Sequence, residues 1–529
     1  MIKINNKFLN KLILILGTFV IFSQLSCKPY KESNKLIVAG AGRITSVDPS
    51  QASTFQAIQL ISTLGDPLYR INRDGKLIPV LASQQPQKSK DGLSLYISLR
   101  KNVLFHDGTP FNAEAMVFSI RRFMRIGATN YVINNRISSL EVINPYLIAI
   151  KLSRPSISIT GLLTSINLTP VSPTAYENHK NKYLNNHFVG TGPYLLKKFN
   201  ANHQSLEPYK DYWGEASAND GINFISLSNS TSLVVALLSK EIDILLSNSI
   251  DETQSKFLHA KAKQGQIKES KGPALEIGFI SLNTTSKTLK DPLMREALSL
   301  TIDRELISNR VSYGFKKPLR SIVPPILKEE VHSPWQSYNP RKAKYLLRES
   351  GYCQNKKAII PLTFRSNVPA DKLFALSWKE QIDRDFSECL ELELNSMEST
   401  TVYKQLEEGT FDAVILDWRG AYPDPEAYLT PLLSCTKILD SICKEGEAIS
   451  SGTFWGSKKL QEALINSDKE DGLNRLNYLK EVENYASKGN PYIPLWLITP
   501  KAWGQSNITQ PEFDGSGHLL LNKLRTVKP

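Results

Sequence analysis

A chain of 529 residues is too long for one compact core and predicts two or three domains. Apolar residues make up 41% of it and charged residues 22%, which excludes a collagen-like, wholly disordered or multi-span membrane protein. The formal charge of +13 favours acidic partners. No long Lys/Arg run and no basic helix studded with aromatics accompanies it, so nucleic acid is not an expected partner.

The N-terminal segment carries a targeting signature. Residues 1–11 include Lys3, Lys7 and Lys11 and no acid, and residues 12–22 form an apolar-to-neutral run. Ser23-Gln24-Leu25-Ser26-Cys27 follows. The run is short for a bilayer span and has the layout of a secretory signal. A small residue just before a Cys ends bacterial lipoprotein signals, which predicts lipid on Cys27 and a polar tether over 28–34. The pattern departs at Gln24, where Leu is usual; plain secretion or a retained anchor are the competing readings. All of them place the protein outside the cytoplasm, in the periplasm or on the cell surface. Losing the three lysines before Cys27 takes the formal charge from +13 to +10.

Past the tether, short strands and capped helices alternate. Residues 93–100 alternate with period two, as a half-buried strand does. Asn112 is placed to cap a helix whose apolar stripe is Met116, Ile120 and Phe123. Two apolar runs, 140–143 and 147–152, flank Asn144-Pro145 and read as a hairpin. Asp291-Pro292 opens a helix with Met294, Ala297 and Leu298 on one face, and Asn339-Pro340 repeats the device with Gly351 ending the helix. Leu390, Leu392 and Leu394 alternate with polar residues in another strand, and 411–418 is a mostly apolar strand running into a Gly/Pro-rich turn. Four cysteines follow the signal: Cys353, Cys389, Cys435 and Cys443. They permit two disulfides in an exported chain, with Cys435 and Cys443 flanking a short loop. A metal site and free buried thiols are the alternatives, and no CxxC or nearby His supports the metal.

Enzyme signatures are missing: there is no HExxH, GxSxG, GxxxxGK[ST] or GxGxxG. The seven histidines never pair at metal-ligand spacing. His106 beside Asp107 reads as a turn, with Asp107 and Gly108 supplying its geometry. Asp424 and Glu426 flank Pro425 and read as solvated loop acids without a partner nucleophile. No catalytic residue, metal or cofactor is expected.

Several segments together are similar to one family, the oligopeptide/dipeptide-binding proteins of ABC importers. LIPVLA at 77–82 precedes LRKNVLFHDGTPFNAE at 99–114, the most specific stretch. VGTGPY at 189–194, with Tyr209 and Tyr212-Trp213-Gly214, comes next, then DPLMREALSLTIDR at 291–304. FDAVILDW at 411–418 with Pro423-Asp424-Pro425, and PYIPLW at 491–496, complete the set in family order. The resemblance implies an α/β, two-lobed periplasmic-binding-protein-like fold (class II) with an extra subdomain on the first lobe. The implied divisions are 1–27 for the signal, 28–75, 187–275 and 496–529 for the first lobe, 76–186 for the subdomain and 276–495 for the second lobe. The crossings between lobes fall near 274–283 and 493–500. It further implies capture of oligopeptides between the lobes, delivery to an ABC permease with cytoplasmic ATPases, attachment to a membrane surface through lipid, and a monomer.

A binder that accepts many side chains must hold what all peptides share, so family members align the ligand like an added β-strand. A buried carboxylate, usually three residues after the Trp of 411–418, grips the α-ammonium. Here that position is Ala421. Asp417 is one replacement; a solvent-exposed amino end is another. The third is a non-standard ligand (murein peptide, metal chelate, haem or oligosaccharide), with Arg419 meeting an acidic group. The expected ligand contacts are therefore Asp417, Trp418, Arg419, Gly420, Ala421 and Tyr422, with Arg43, Ile44 and Thr45 from the loop after the first strand.

Overall fold

A computed structural model describes residues 35–527 apart from 53, 228, 247–249, 329 and 331. The expected signal and the expected lipid site at Cys27 lie outside the described residues. Two mixed sheets organise the rest. The first has seven strands, in the order Ile267–Lys271, Lys501–Gln505, Ile244–Leu246, Leu36–Ala41, Ile222–Leu227, His203–Pro208 and Tyr194–Asn200. Leu36–Ala41 lies at its centre, parallel to both neighbours. Its sequence, LIVAGA, is almost uninterruptedly apolar because both faces are covered. Ala39 packs with Leu233, Leu237 and Leu258 of two helices on one side. On the other, Val38 belongs to the core that includes Leu60, Ile61 and Leu64 of the helix Phe55–Leu64.

The second sheet has six strands: Lys317–Pro318, Tyr492–Ile498, Glu276–Leu282, Ala413–Arg419, Ala358–Arg365 and Leu390–Met397. Its core gathers Ile280, Ile415 and Trp496 with Leu298, Leu347 and Trp378 of three helices. Two of those helices start as the sequence predicts. Asp291 accepts the Leu293 N–H at 2.9 Å and Asn339 the Lys342 N–H at 3.0 Å, each just before a proline whose missing donor costs nothing there. Gly278 admits the indole of Trp496, whose Nε1 would lie 2.3 Å from a Cβ at that position. The strand 390–397 has Leu390 and Leu392 buried and its intervening residues exposed.

A third, four-stranded sheet (Gln87–Lys88, Ser94–Ser98, Leu147–Leu152, Ile137–Asn144) carries the predicted hairpin. The helix Ala113–Ile126 packs on it through Met116, Ile120 and Phe123, capped by Asn112. The turn at His106 closes with the Phe105 N–H donating to Thr109 O, and Gly108 takes φ +79°. His106 Nε2 lies 3.0 Å from Gly192 O, and burial lowers its pKa to about 4. Held neutral, it ties this sheet to the VGTGPY segment.

The chain passes from the first sheet to the second between Lys271 and Glu276, and returns between Ile498 and Lys501. Most of 274–283 and of 493–500 is thus strand in the second sheet, and the crossings proper are residues 272–275 and 499–500. Cys353 is bonded to Cys389, and Cys435 to Cys443. No helix among the described residues is long and apolar enough to cross a membrane.

Candidate ligand-binding site

Alternation along Ala413–Arg419 sends Val414, Leu416 and Trp418 to one face and Ile415, Asp417 and Arg419 to the other. The strand begins apolar and ends polar, and its last three residues with Gly420, Ala421 and Tyr422 line a cavity of about 1400 Å³. Phe55, Ile58, Ser516 and His518, on the side of the first sheet, form a facing wall, and Tyr131, Arg136 and Arg154 reach in beside the four-stranded sheet. Asp417 to Tyr422 are thus brought together. Arg43, Ile44 and Thr45 do not line the cavity. Ile44 is buried in the first core with its N–H bonded to Ala201 O, while Arg43 and Thr45 are exposed away from the lining.

Asp417 is already partnered. Arg365 Nη2 lies 2.7 Å from its Oδ2, and the same guanidinium grips Asp371 with 2.7 and 3.2 Å bonds and donates to Tyr403 Oη. Burial would lower the Arg365 pKa, but Asp417 and Asp371 outweigh it and the group stays charged. A different carboxylate is less satisfied. Glu276, opposite Arg419 in the neighbouring strand, lines the cavity with no side-chain hydrogen bond or ion pair among the described residues. Burial, reinforced by Asp417, raises its pKa to about 7.

Trp418 is half-buried and donates from Nε1 to Ala427 O at 2.9 Å. Gly420 is required by crowding, since a Cβ would stand 2.8 Å from the Tyr428 ring and 2.9 Å from Ala427 Cβ. Arg419 reaches across the cavity: Nη2 donates to Ser516 O, and the guanidinium sits 5.8 Å from the Phe55 ring centre. Gly517, at φ +79°, leaves room for it, with Nη2 2.6 Å from where a Cβ would be. Ala421 is exposed to the cavity, and Tyr422 is buried with its hydroxyl donating to Glu426.

The reading of Asp424 and Glu426 as solvated loop acids is overturned. Glu426 is 2% exposed and paired with Arg136, which also lies 3.7 Å from Asp468. Asp468 accepts from Ser156 at 2.9 Å and Ser158 at 2.8 Å, and Asp424 pairs with Arg475 at 2.6 Å. Burial alone would lower the Arg136 pKa; Glu426 reverses the sign. These acids are structural: Glu426 and Asp468 join the four-stranded sheet's subdomain to the helices after the second sheet's Ala413–Arg419 strand, and Asp424 ties its loop to the helix Gly472–Gly489. Sequence reasoning also missed Glu447, which lines the cavity beside Cys435 and has its pKa raised by burial. A signal for Glu276 existed: it is the single charge in the apolar run ALEIGFISL. No group of three or more His, Cys, Asp or Glu residues suited to a metal occurs among the described residues.

Two sheet-centred lobes linked by two crossings, with a subdomain and a cavity between them, define a solute binder of the periplasmic-binding-protein fold. The profile of the bacterial extracellular solute-binding proteins, family 5 (middle), matches residues 76–440, and the chain belongs to that family. The glutathione-binding protein GsiB of Salmonella choleraesuis is 28% identical over 335 residues, 62% of this chain and 64% of that one. The match therefore spans under two thirds of that relative's length. Among solved structures, a dipeptide-binding protein from Pseudoalteromonas sp. SM9913 in complex with Met-Leu superposes with a TM-score of 0.80 at 22% identity, covering 93% of this chain and 100% of that one. NikA from Brucella suis in complex with Fe(III)-EDTA gives 0.81 at 21%, covering 93% and 99%.

Proposed function

We propose that this protein captures short peptides in the cavity between its lobes and delivers them to an ABC permease. The reading rests above all on the cavity itself. At about 1400 Å³ it exceeds the range of roughly 300–1,000 Å³ usual for drug-sized ligands and accommodates an extended peptide with hydrated side chains. Its wall is a strand end presenting Trp418 and the 419–422 backbone, the kind of surface along which an extended ligand lies. Trp418, Arg419, Gly420, Ala421 and Tyr422 are the proposed contacts. Asp417, held by Arg365, is a support for the wall rather than the ammonium anchor. Membership in the family and the peptide ligand of a structural neighbour support the same reading. The proposed division keeps 28–75, 187–275 and 496–529 in the first lobe, 76–186 in the subdomain and 276–495 in the second lobe, with closure about 272–275 and 499–500.

A dedicated ligand is the second reading, favoured by Ala421 and by Arg154 and Arg419 in the lining, which suit a carboxylate-rich molecule. Mass spectrometry of molecules released on denaturing the purified protein separates the two. A spread of short-peptide masses is expected. One recurrent non-peptide mass, together with no heat on titrating peptides, would replace the first reading with the second.

A further inference from the structure

The cavity's charges do not cancel. Five carboxylates line it (Glu276, Asp417, Glu426, Glu447 and Asp468) against three guanidiniums and no lysine, in a chain whose formal charge is +13. Partners can be assigned to most of them. Arg136 answers Glu426, Arg136 and Arg154 both lie 3.7 Å from Asp468, and Arg365 answers Asp417 from behind the wall. Glu276 and Glu447 are left, each partly buried and each without an ion pair or side-chain hydrogen bond among the described residues. Arg419, the cross-strand neighbour of Glu276, spends its Nη2 on Ser516 O on the far side of the cavity. A half-desolvated carboxylate with no cation in direct contact carries a standing cost, and a ligand placing a cation against it recovers part of that cost.

We propose that Glu276 and Glu447 are the specificity-determining residues of the cavity, and that they select a peptide carrying positive charge beyond its α-ammonium, from a Lys or Arg side chain. The proposal rests on the peptide-binding reading above. The two carboxylates sit in different parts of the lining. Glu276 lies at the strand end beside Asp417 and Arg419; Glu447 starts the short helix Glu447–Ser450 beside Cys435. Two separate sites for positive charge fit a ligand with two cationic groups, whereas a neutral tripeptide satisfies one of them. Burial disfavours the ionised form of both, so each gains most from a cation placed against it.

The test is titration calorimetry at pH 7.5 with Ala-Lys-Ala, Ala-Ala-Ala and Ala-Glu-Ala on the wild type, Glu276→Gln and Glu447→Gln. The wild type should bind Ala-Lys-Ala about tenfold or more tighter than Ala-Ala-Ala, with Ala-Glu-Ala weakest, and each Gln variant should lose most of that spread. Equal affinities for the three peptides, or a spread that survives both substitutions, would overturn the charge selection while leaving peptide binding intact. Failure of the folded wild type to bind any of the three would sink the peptide-binding reading itself.

Discussion

Glu276 shows how one residue can oppose stability and serve binding. Its neighbours in space are Asp417 and Arg419 on the adjacent strand, Arg365 behind them and Lys316. For a carboxyl whose folded value, about 7, exceeds its ordinary 4.5, the folding cost of its charge is absent below pH 4.5. The cost grows between those values and is complete above them. Glu276→Gln should therefore raise the thermal midpoint at pH 8 and leave it unchanged at pH 4. Equal shifts at both pH values in calorimetric scans would assign the effect to packing instead. The same residue marks the reach of sequence reading. An isolated acid in an apolar strand is visible in the sequence, but whether it meets a cation is decided by Lys316, Arg365 and Arg419, all distant in the chain. Asp417 and Arg419, expected at the site from the resemblance over 411–425, do line the cavity. Arg43 to Thr45 lie outside the lining because Ile44 folds back onto the core, which no local pattern carries.

At the scale of elements, the joints matter more than the strands. Arg136, at the edge of the four-stranded sheet, is the shared counterion of Glu426 and Asp468 on two helices of the other lobe. Removing one partner of a buried ion pair typically costs about 3–5 kcal/mol, because the remaining charges stay desolvated. Arg136→Met should lower the urea unfolding free energy by about that much; a change below 1 kcal/mol would show the network to be idle. The disulfides close loops of different length, with sequence separations of 36 and 8. Loop-closure entropy gives about 4 kcal/mol for Cys353–Cys389 and about 2.5 kcal/mol for Cys435–Cys443. Paired Cys→Ser replacements should follow that order in unfolding free energy, and a reversal would mean that local packing outweighs chain entropy. The strands, capped helices and hairpin were legible because each rests on local periodicity and caps. The Cys353–Cys389 pairing and the roles of Asp424 and Glu426 were not, because partners such as Arg136 and Arg475 are distant in the chain.

For the whole molecule, the contact from Arg419 to Ser516 O joins the end of the second sheet's Ala413–Arg419 strand to the wall on the first sheet's side. Losing a hydrogen bond to a charged group costs about 1.5 kcal/mol, roughly a tenfold shift in the balance between closed and open forms. Arg419→Ala should enlarge the radius of gyration of the ligand-free protein in small-angle scattering, and saturating ligand should restore it. An unchanged radius would mean that the lobes are held by other contacts. The order of the first sheet has a further consequence, for how the chain reaches its folded state. Lys501–Gln505, from the last thirty residues, is no edge strand: it lies between Ile267–Lys271 and Ile244–Leu246. Until that segment leaves the ribosome, those two strands lack the partner that joins them, and the sheet built around Leu36–Ala41 stays incomplete. Sequence-distant pairing of this kind is slow. The sheet built around Leu36–Ala41 is closed only by a strand that follows the whole second sheet in the chain.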